Sequence, residues 1–386
     1  MCGACMPSCP TYQTSQDENF SPRGRISLVQ AVTQNKLTLS DNVISHFDSC
    51  LQCFNCQTIC PSQVKYSEII SYIMEQSFSH RKLKWFSLSF FTVQISNVIL
   101  VNKTFRKYFI IFINFLIHNN LLQFIKHFAL KFNLKSISLL PDKQIKLSDK
   151  TLKQKFSDNI SIFTGCATSL FDSQLVSQTC QLFELLQVSV THVDSENCCG
   201  AIYQKQGNRK ALNKLQDNAI NNQSYNNTLI SINSACSAYM KNSSTHKNNC
   251  IEDIVTVLAN KFWDRLKNIQ FAPFPNNILF HQSCSMRNTL KNQSDCFKLL
   301  KLIPHIKVTL FPQTSCCGAS GNYMLSHAKL AEKIVNPYIE FIIKENIHFM
   351  VSTDISCSLH IKQQLERQNY HFEVLHPISL LHQQII

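Results

Sequence analysis

Seven cysteines near the start of the chain carry its most legible chemistry. Cys50, Cys53, Cys56 and Cys60, with Pro61 behind the last, have the spacing C-x2-C-x2-C-x3-C-P. This is the spacing of a ferredoxin-type [4Fe–4S] site. Three closely spaced thiolates wrap one face of such a cube, and the fourth, before Pro, ligates the neighbouring cluster in two-cluster proteins. The run therefore asks for a second one. Cys2, Cys5 and Cys9, followed by Pro10, supply the last three positions of the same motif. Its first Cys would lie three residues before Cys2, so the native start is expected upstream of Met1. Crosswise pairing assigns Cys50, Cys53, Cys56 and Cys9 to one [4Fe–4S] cluster. Cys2, Cys5 and Cys60 are left for the other, which lacks one ligand.

Two other readings compete for the Cys50 run. Zinc knuckles use two C-x2-C pairs, not four Cys in eleven residues ending at Pro. A disulfide framework suits a short secreted chain, whereas this one has 386 residues and no charged start followed by an apolar stretch. The eighteen cysteines are clustered, which argues for reduced thiolates on metals in a reducing compartment.

The second half of the chain repeats itself. Cys166 and Cys284 are 118 residues apart, as are Cys198 and Cys316, Cys199 and Cys317, and Gly200 and Gly318. Cys236 and Cys357 are 121 apart. Four columns in register imply duplication of one unit. Sets of four thiols suit an iron–sulfur centre or zinc. Buried structural cysteine is the plain alternative. It suits Cys180, Cys250 and Cys296, which fall outside the repeat. His281, His360 and His376 lie near the ends of the repeat and read as structural hydrogen-bonders.

These residues need elements to position them. Short β-branched runs at 160–163, 229–232, 278–280 and 350–352 each precede a Cys, and those at 188–190 and 308–310 precede the Cys pairs. Strand, then Cys, then helical pattern is the texture of α/β units with parallel sheets, whose ligands sit beyond the carboxyl ends of strands. Residues 1–80 show helix-like apolar spacing without strand alternation, predicting a helical two-cluster ferredoxin domain. The stretch Ser21-Pro22-Arg23-Gly24-Arg25 reads as a turn plus the start of the first long helix, or as arginines that brace the cluster loops. The predicted order is a helical ferredoxin domain at 1–80, a basic amphipathic connector at 81–154, and α/β cysteine-rich domains at 155–270 and 271–386.

The net charge of +13 is uneven. Residues 81–150 hold twelve Lys or Arg against Asp142 and Asp149, interleaved with aromatic and aliphatic side chains. Such a segment docks on an anionic membrane surface or an acidic partner, or simply joins two domains by amphipathic helices. Its best apolar run, residues 108–117, is about half of the ~20 residues that a spanning helix needs. No nucleic-acid module is present. The seven glycines form no dinucleotide-binding pattern.

With these pieces placed, the chain resembles the iron–sulfur subunits of glycolate oxidase (glycolate dehydrogenase). The resemblance covers essentially the whole chain. It rests on Pro10-Thr11-Tyr12-Gln13 and Pro22-Arg23-Gly24-Arg25 behind the first motif, Cys60-Pro61-Ser62 at the second, and the two Cys-Cys-Gly sites at 198–200 and 316–318. It implies an electron-transfer subunit that works with FAD-binding flavoprotein subunits, which oxidise glycolate to glyoxylate, and passes electrons toward a membrane quinone. It also implies a cytoplasmic position at the inner face of the membrane, with no catalytic residue of the chain's own. The chain departs from the cysteine-rich domains of heterodisulfide reductases, which close with C-x2-C. Here Tyr239 and His360 stand three residues after Cys236 and Cys357. Related alternatives are an iron–sulfur subunit for glycerol-3-phosphate or lactate oxidation, or a heterodisulfide-reductase-like thiol enzyme.

Overall fold

The computed structural model describes residues 2–80, 88–131, 138–141, 144–145, 156–194, 197–219, 228–242, 251–313 and 315–386. The N-terminal region is helical: α1 (Pro10–Ser15), α2 (Pro22–Thr33), α3 (Asp41–Asp48), α4 (Asn55–Thr58) and α5 (Tyr66–His80). Pro10 and Pro22 open α1 and α2, where a missing N–H costs nothing. Ser21 caps α2 by accepting from the Gly24 amide. Ser21 is thus the cap and the Pro-Arg-Gly-Arg stretch the first turn of the helix, the helix start read from the sequence. Gly24 is required there, because a Cβ would lie 2.0 Å from the Glu18 carbonyl oxygen. Val29, Val43, Phe47, Tyr66, Ile70 and Ile73 form the core of this region.

Three further helices follow, α6 (Leu88–Val101), α7 (Lys103–His118) and α8 (Leu121–Lys131). Ile110, Ile113, Leu116 and Leu122 pack in one cluster with Leu170, which belongs to the first repeat unit. Asn97 of α6 hydrogen-bonds Gln206 and Asn322. Among the described residues this segment is docked on the α/β region and is not a free connector. Seven of its twelve basic residues lie outside the described residues. No described helix is long and apolar enough to cross a membrane.

The repeat forms two four-stranded parallel sheets. The first has order β2-β1-β3-β4, from β1 (Asp158–Phe163), β2 (Val188–Asp194), β3 (Leu229–Ser231) and β4 (Ile251–Asp253). The second repeats it as β6-β5-β7-β8, from β5 (Asn277–His281), β6 (Lys307–Leu310), β7 (Phe349–Ser352) and β8 (Glu373–Leu375). All six β-branched runs read from the sequence fall on strands. The edge strands β4 and β8 lacked a Cys to flag them. Both sheets reverse strand order beside their first strand, which makes the crevices β1/β3 and β5/β7 the ligand positions of this topology.

One apolar core runs through both units. Ile160, Ile162 and Ile230 share it with Ile278, Phe280, Val351 and Leu380. Polar contacts reinforce the joint: the Ser234 amide donates to the Thr353 carbonyl at 3.0 Å, and Asn292 donates to Asp253 at 2.9 Å. The helical region seats against both units. Gly207, at φ +74, lets the backbone meet α5, since a Cβ there would lie 2.1 Å from the Met74 carbonyl oxygen.

Candidate metal centres

The N-terminal thiols converge because Arg25 pins their loops together. Its side chain is 1% exposed. Nε donates to the His46 carbonyl at 2.7 Å, and Nη2 donates to Thr11 Oγ1 at 3.1 Å and Ser49 Oγ at 2.9 Å. Thr11 in turn contacts Cys9 Sγ at 3.2 Å, while Ser49 immediately precedes Cys50. Burial opposes the guanidinium charge, but Cys50, Tyr66 and Cys9 more than offset it, so its pKa is raised. The bracing role for the arginines is the one the structure supports for Arg25. Arg23 instead pairs with Glu18 at the surface.

Cys56 is pushed well up, first by burial and then by Cys53, Cys50, Cys9 and Cys5. Cys5 is raised by burial, with Cys60 and Cys9 adding to it. The two N-terminal runs therefore face each other, and Cys9 stands with the Cys50 run as well as its own. Cys2 is exposed. Cys53 reaches further: its thiol is hydrogen-bonded to Cys316 in the second repeat unit and lies near Cys284.

Each repeat unit gathers its four cysteines at the carboxyl ends of its strands. In the first, Cys166 and Cys236 begin or lie in the helices after β1 and β3, flanking the crevice, and Cys198 and Cys199 follow β2. Cys166 Sγ is 3.5 Å from Cys198 Sγ. Cys198 also bonds Cys199, which bonds Cys236. In the second unit Cys284, Cys316, Cys317 and Cys357 repeat the pattern, with Cys317 and Cys357 2.8 Å apart. Seven of these eight thiols are shifted upward. In Cys198 the bond from Cys166 pulls down, but Cys199 and burial carry it up to about 12. Cys284 is the exception, lowered to about 7 by its bond with Cys316, with Lys205 assisting against burial.

Both thiol sets border one cavity of about 1650 Å³, together with Cys50, Cys53, Lys205 and Asp354. Lys205 is central to the joint: Nζ donates to Ser320 at 3.0 Å, and its carbonyl accepts from Gln52 at 2.9 Å. Ser320 donates to the Leu51 carbonyl at 2.6 Å, and Asn288 to the Cys53 carbonyl at 2.7 Å.

The donor chemistry fits metal-bound sulfur. The seventeen described cysteines are all free, and Cys250 lies outside the described residues. Crowded, buried thiols whose pKa values are raised lose their protons only beside a cation, and metal binding provides one. Cys180 and Cys296 stand apart, as the repeat predicted. Cys296 is buried in the shared core.

His376 caps the last helix through Nδ1. His360 contacts the Ala331 carbonyl at 3.4 Å. These two are structural, as read from the sequence. His281 is different. One of its ring nitrogens lies within 4.8 Å of the sulfurs of Cys317 and Cys357. Nothing in the spacing of the three histidines separates it from the other two.

A 4Fe–4S dicluster domain matches residues 1–64, and the cysteine-rich domain matches twice, at 160–241 and 278–362. Fold, thiol sets and matches together define the class: the chain belongs to the iron–sulfur proteins that join a dicluster domain to paired cysteine-rich domains. Within that class it is similar to the glycolate oxidase iron–sulfur subunit of Escherichia coli, 24% identical over 93% of this chain and 88% of that protein. The probable glycolate oxidase iron–sulfur subunit of Bacillus subtilis is 22% identical over 95% and 88%. Lactate utilization protein A of Geobacillus is 23% identical over 58% of this chain and 98% of its own length. The resemblance to the glycolate oxidase iron–sulfur subunits thus holds along nearly the whole chain.

Proposed function

We propose that the chain is the electron-transfer subunit of a glycolate-oxidising complex, placed between a flavoprotein that converts glycolate to glyoxylate and a membrane quinone. Cys50, Cys53, Cys56 and Cys9 hold one [4Fe–4S] cluster. Cys2, Cys5 and Cys60 hold a second. Cys166, Cys198, Cys199 and Cys236, and their counterparts Cys284, Cys316, Cys317 and Cys357, hold an iron–sulfur centre in each cysteine-rich unit. When bound, such clusters accept and release single electrons. The chain's own residues fix the thiols, keep water from them and set them in sequence. The observation that carries this reading is continuity of sulfur: Cys56 stands among the N-terminal thiols, and Cys53 of the same run touches Cys316.

Removing hydrogen from a hydroxy-acid carbon needs a hydride acceptor beside a base, and a cluster takes single electrons only. The reconstituted chain given glycolate and an artificial acceptor should show no turnover. Turnover should appear once the flavoprotein subunits are added. Oxidation of glycolate by the chain alone would overturn the electron-carrier reading. A thiol–disulfide enzyme is less well served by the site. Tyr239 and His360 stand where the closing cysteines of its C-x2-C would lie.

The same reading includes peripheral membrane contact through α6–α8. Helix α7 buries Ile110, Ile113 and Leu116 yet also exposes Phe105, Tyr108, Ile111, Phe112 and Phe115, with Lys103 and Lys107 beside them. A second apolar face ringed by lysine suits an anionic lipid surface. Vesicles containing anionic lipid should retain the protein at low salt and release it progressively as salt screens the lysines. Equal binding to neutral vesicles, or none to either, would count against it.

A further inference from the structure

The two repeat units are not chemical copies. At the end of β1 the first unit has Phe163, and 118 residues on, at the end of β5, the second has His281. Phe163 packs against Cys199 and Cys236. Their counterparts are Cys317 and Cys357, the two thiols grouped with His281. One structural position beside the same two cysteines thus holds a phenyl ring in one unit and an imidazole in the other.

We propose that His281, through Nε2, is a nitrogen ligand of the iron-bearing centre held by Cys284, Cys316, Cys317 and Cys357. The first unit then holds an all-sulfur centre and the second a mixed one. This inference rests on reading those thiol sets as metal sites.

The surroundings of His281 prepare it for the role. The residue is 1% exposed. Its Nδ1 lies 3.1 Å from Tyr338 Oη, while Nε2 is buried without a hydrogen-bond partner. An imidazole nitrogen buried in this way destabilises the fold unless something engages it. A metal-ligating His characteristically donates its other N–H to a partner that fixes tautomer and ring orientation, and Tyr338 is placed to accept it. Tyr338 is itself stacked on Phe311, which fixes the ring that carries the hydroxyl. The helix after Cys284 also departs from its counterpart. Ser285–Leu290 is a π-helix, whereas Cys166–Phe171 in the first unit is an ordinary α-helix. Local π geometry is frequent at functional sites.

Substituting a neutral imidazole for an anionic thiolate raises the reduction potential of an iron–sulfur centre. The mixed centre therefore favours the reduced state relative to an all-thiolate one at the same place. It also touches the dicluster domain through Cys53.

The test uses the full chain loaded with iron and sulfide, labelled with 15N-histidine and 57Fe. Pulsed EPR of the reduced protein should show a histidine nitrogen strongly coupled to one centre, and Mössbauer spectra should show one iron site distinct from the thiolate-bound ones. His281→Phe, which copies the first unit, should abolish both signals. His281→Cys should retain iron and lower the potential of that centre. Cys317→Ser, read only for iron per chain, separates the two levels of inference. Iron that falls in Cys317→Ser, together with no histidine coupling in the unmutated protein, overturns the imidazole ligand and leaves the metal site standing. Iron that does not fall overturns both. The labelled unmutated protein gives the decisive spectrum, so a variant that fails to fold does not remove the test.

Discussion

Arg25→Ala is expected to be among the most damaging single substitutions in the N-terminal region, costing roughly 3–5 kcal/mol, the usual range for breaking a buried charged network. Three acceptors lose a charged donor at once, the His46 carbonyl, Thr11 Oγ1 and Ser49 Oγ, although the His46 carbonyl keeps a second donor in Ser49 Oγ. Thr11 and Ser49 are buried where water cannot readily substitute, and the side chain leaves a cavity behind. The charge matters as well. Arg25 stands close to Cys50 and Cys9, so its loss removes a cation from beside thiolates that carry a cluster. Arg25→Lys should restore the charge but not the forked geometry, and should recover only part of the loss. Thermal unfolding and iron per chain measure the two effects separately. An Arg25→Ala protein with an unchanged melting temperature and full iron would contradict this account.

Cys9→Ala should remove or destabilise the cluster of the Cys50 run, leaving the other N-terminal cluster in place. Cys9 is 7% exposed and sits beside Thr11, whose hydroxyl shares Arg25 Nη2 with Ser49, the residue before Cys50. Its thiol is among those that raise the pKa of Cys56. The truncation deletes one small atom, so simple cavity formation should cost only about 1 kcal/mol. A large effect on iron with a small effect on the iron-free fold is therefore the signature of a ligand. Cys2→Ala serves as the control, since crosswise pairing places Cys2 with the other cluster. If Cys9→Ala and Cys2→Ala disturb the same spectroscopic centre, the pairing is sequential and not crosswise.

Much of the α/β half was legible from residue order. The strands before Cys166, Cys198, Cys236, Cys284, Cys316 and Cys357 were readable because a buried parallel strand is short and β-branched, and its ligand must follow at its carboxyl end. Strands β4 and β8 were not, because Ile251–Asp253 and Glu373–Leu375 are three-residue edge strands whose burial comes from neighbours and not from pattern. The segment at 81–154 shows the opposite failure. Its composition was plain, yet composition does not say that Leu116 and Leu122 share a cluster with Leu170 of the first repeat unit.

The sequence by itself determined the class of chemistry and the architecture that serves it. Ligand spacing is local, and C-x2-C-x2-C-x3-C-P constrains a cluster loop wherever the rest of the chain goes. A 118-residue period likewise implies a duplicated unit without any contact being known. Tertiary structure alone decided which thiols meet and what stands beside them. Cys53 lies 263 residues from Cys316 in the chain, and only the docking of the helical region on the second unit joins them. The sequence left Arg25 open as a turn or helix-start residue or as a brace, and burial made it the brace between Cys9 and Cys50. His281 resembled His360 and His376 in the sequence. It became distinct only when folding set its ring against the sulfurs of Cys317 and Cys357. The physical reason is the same in each case: spacing fixes what a short segment can ligate, whereas burial and long-range packing fix the electrostatic surroundings in which it does so.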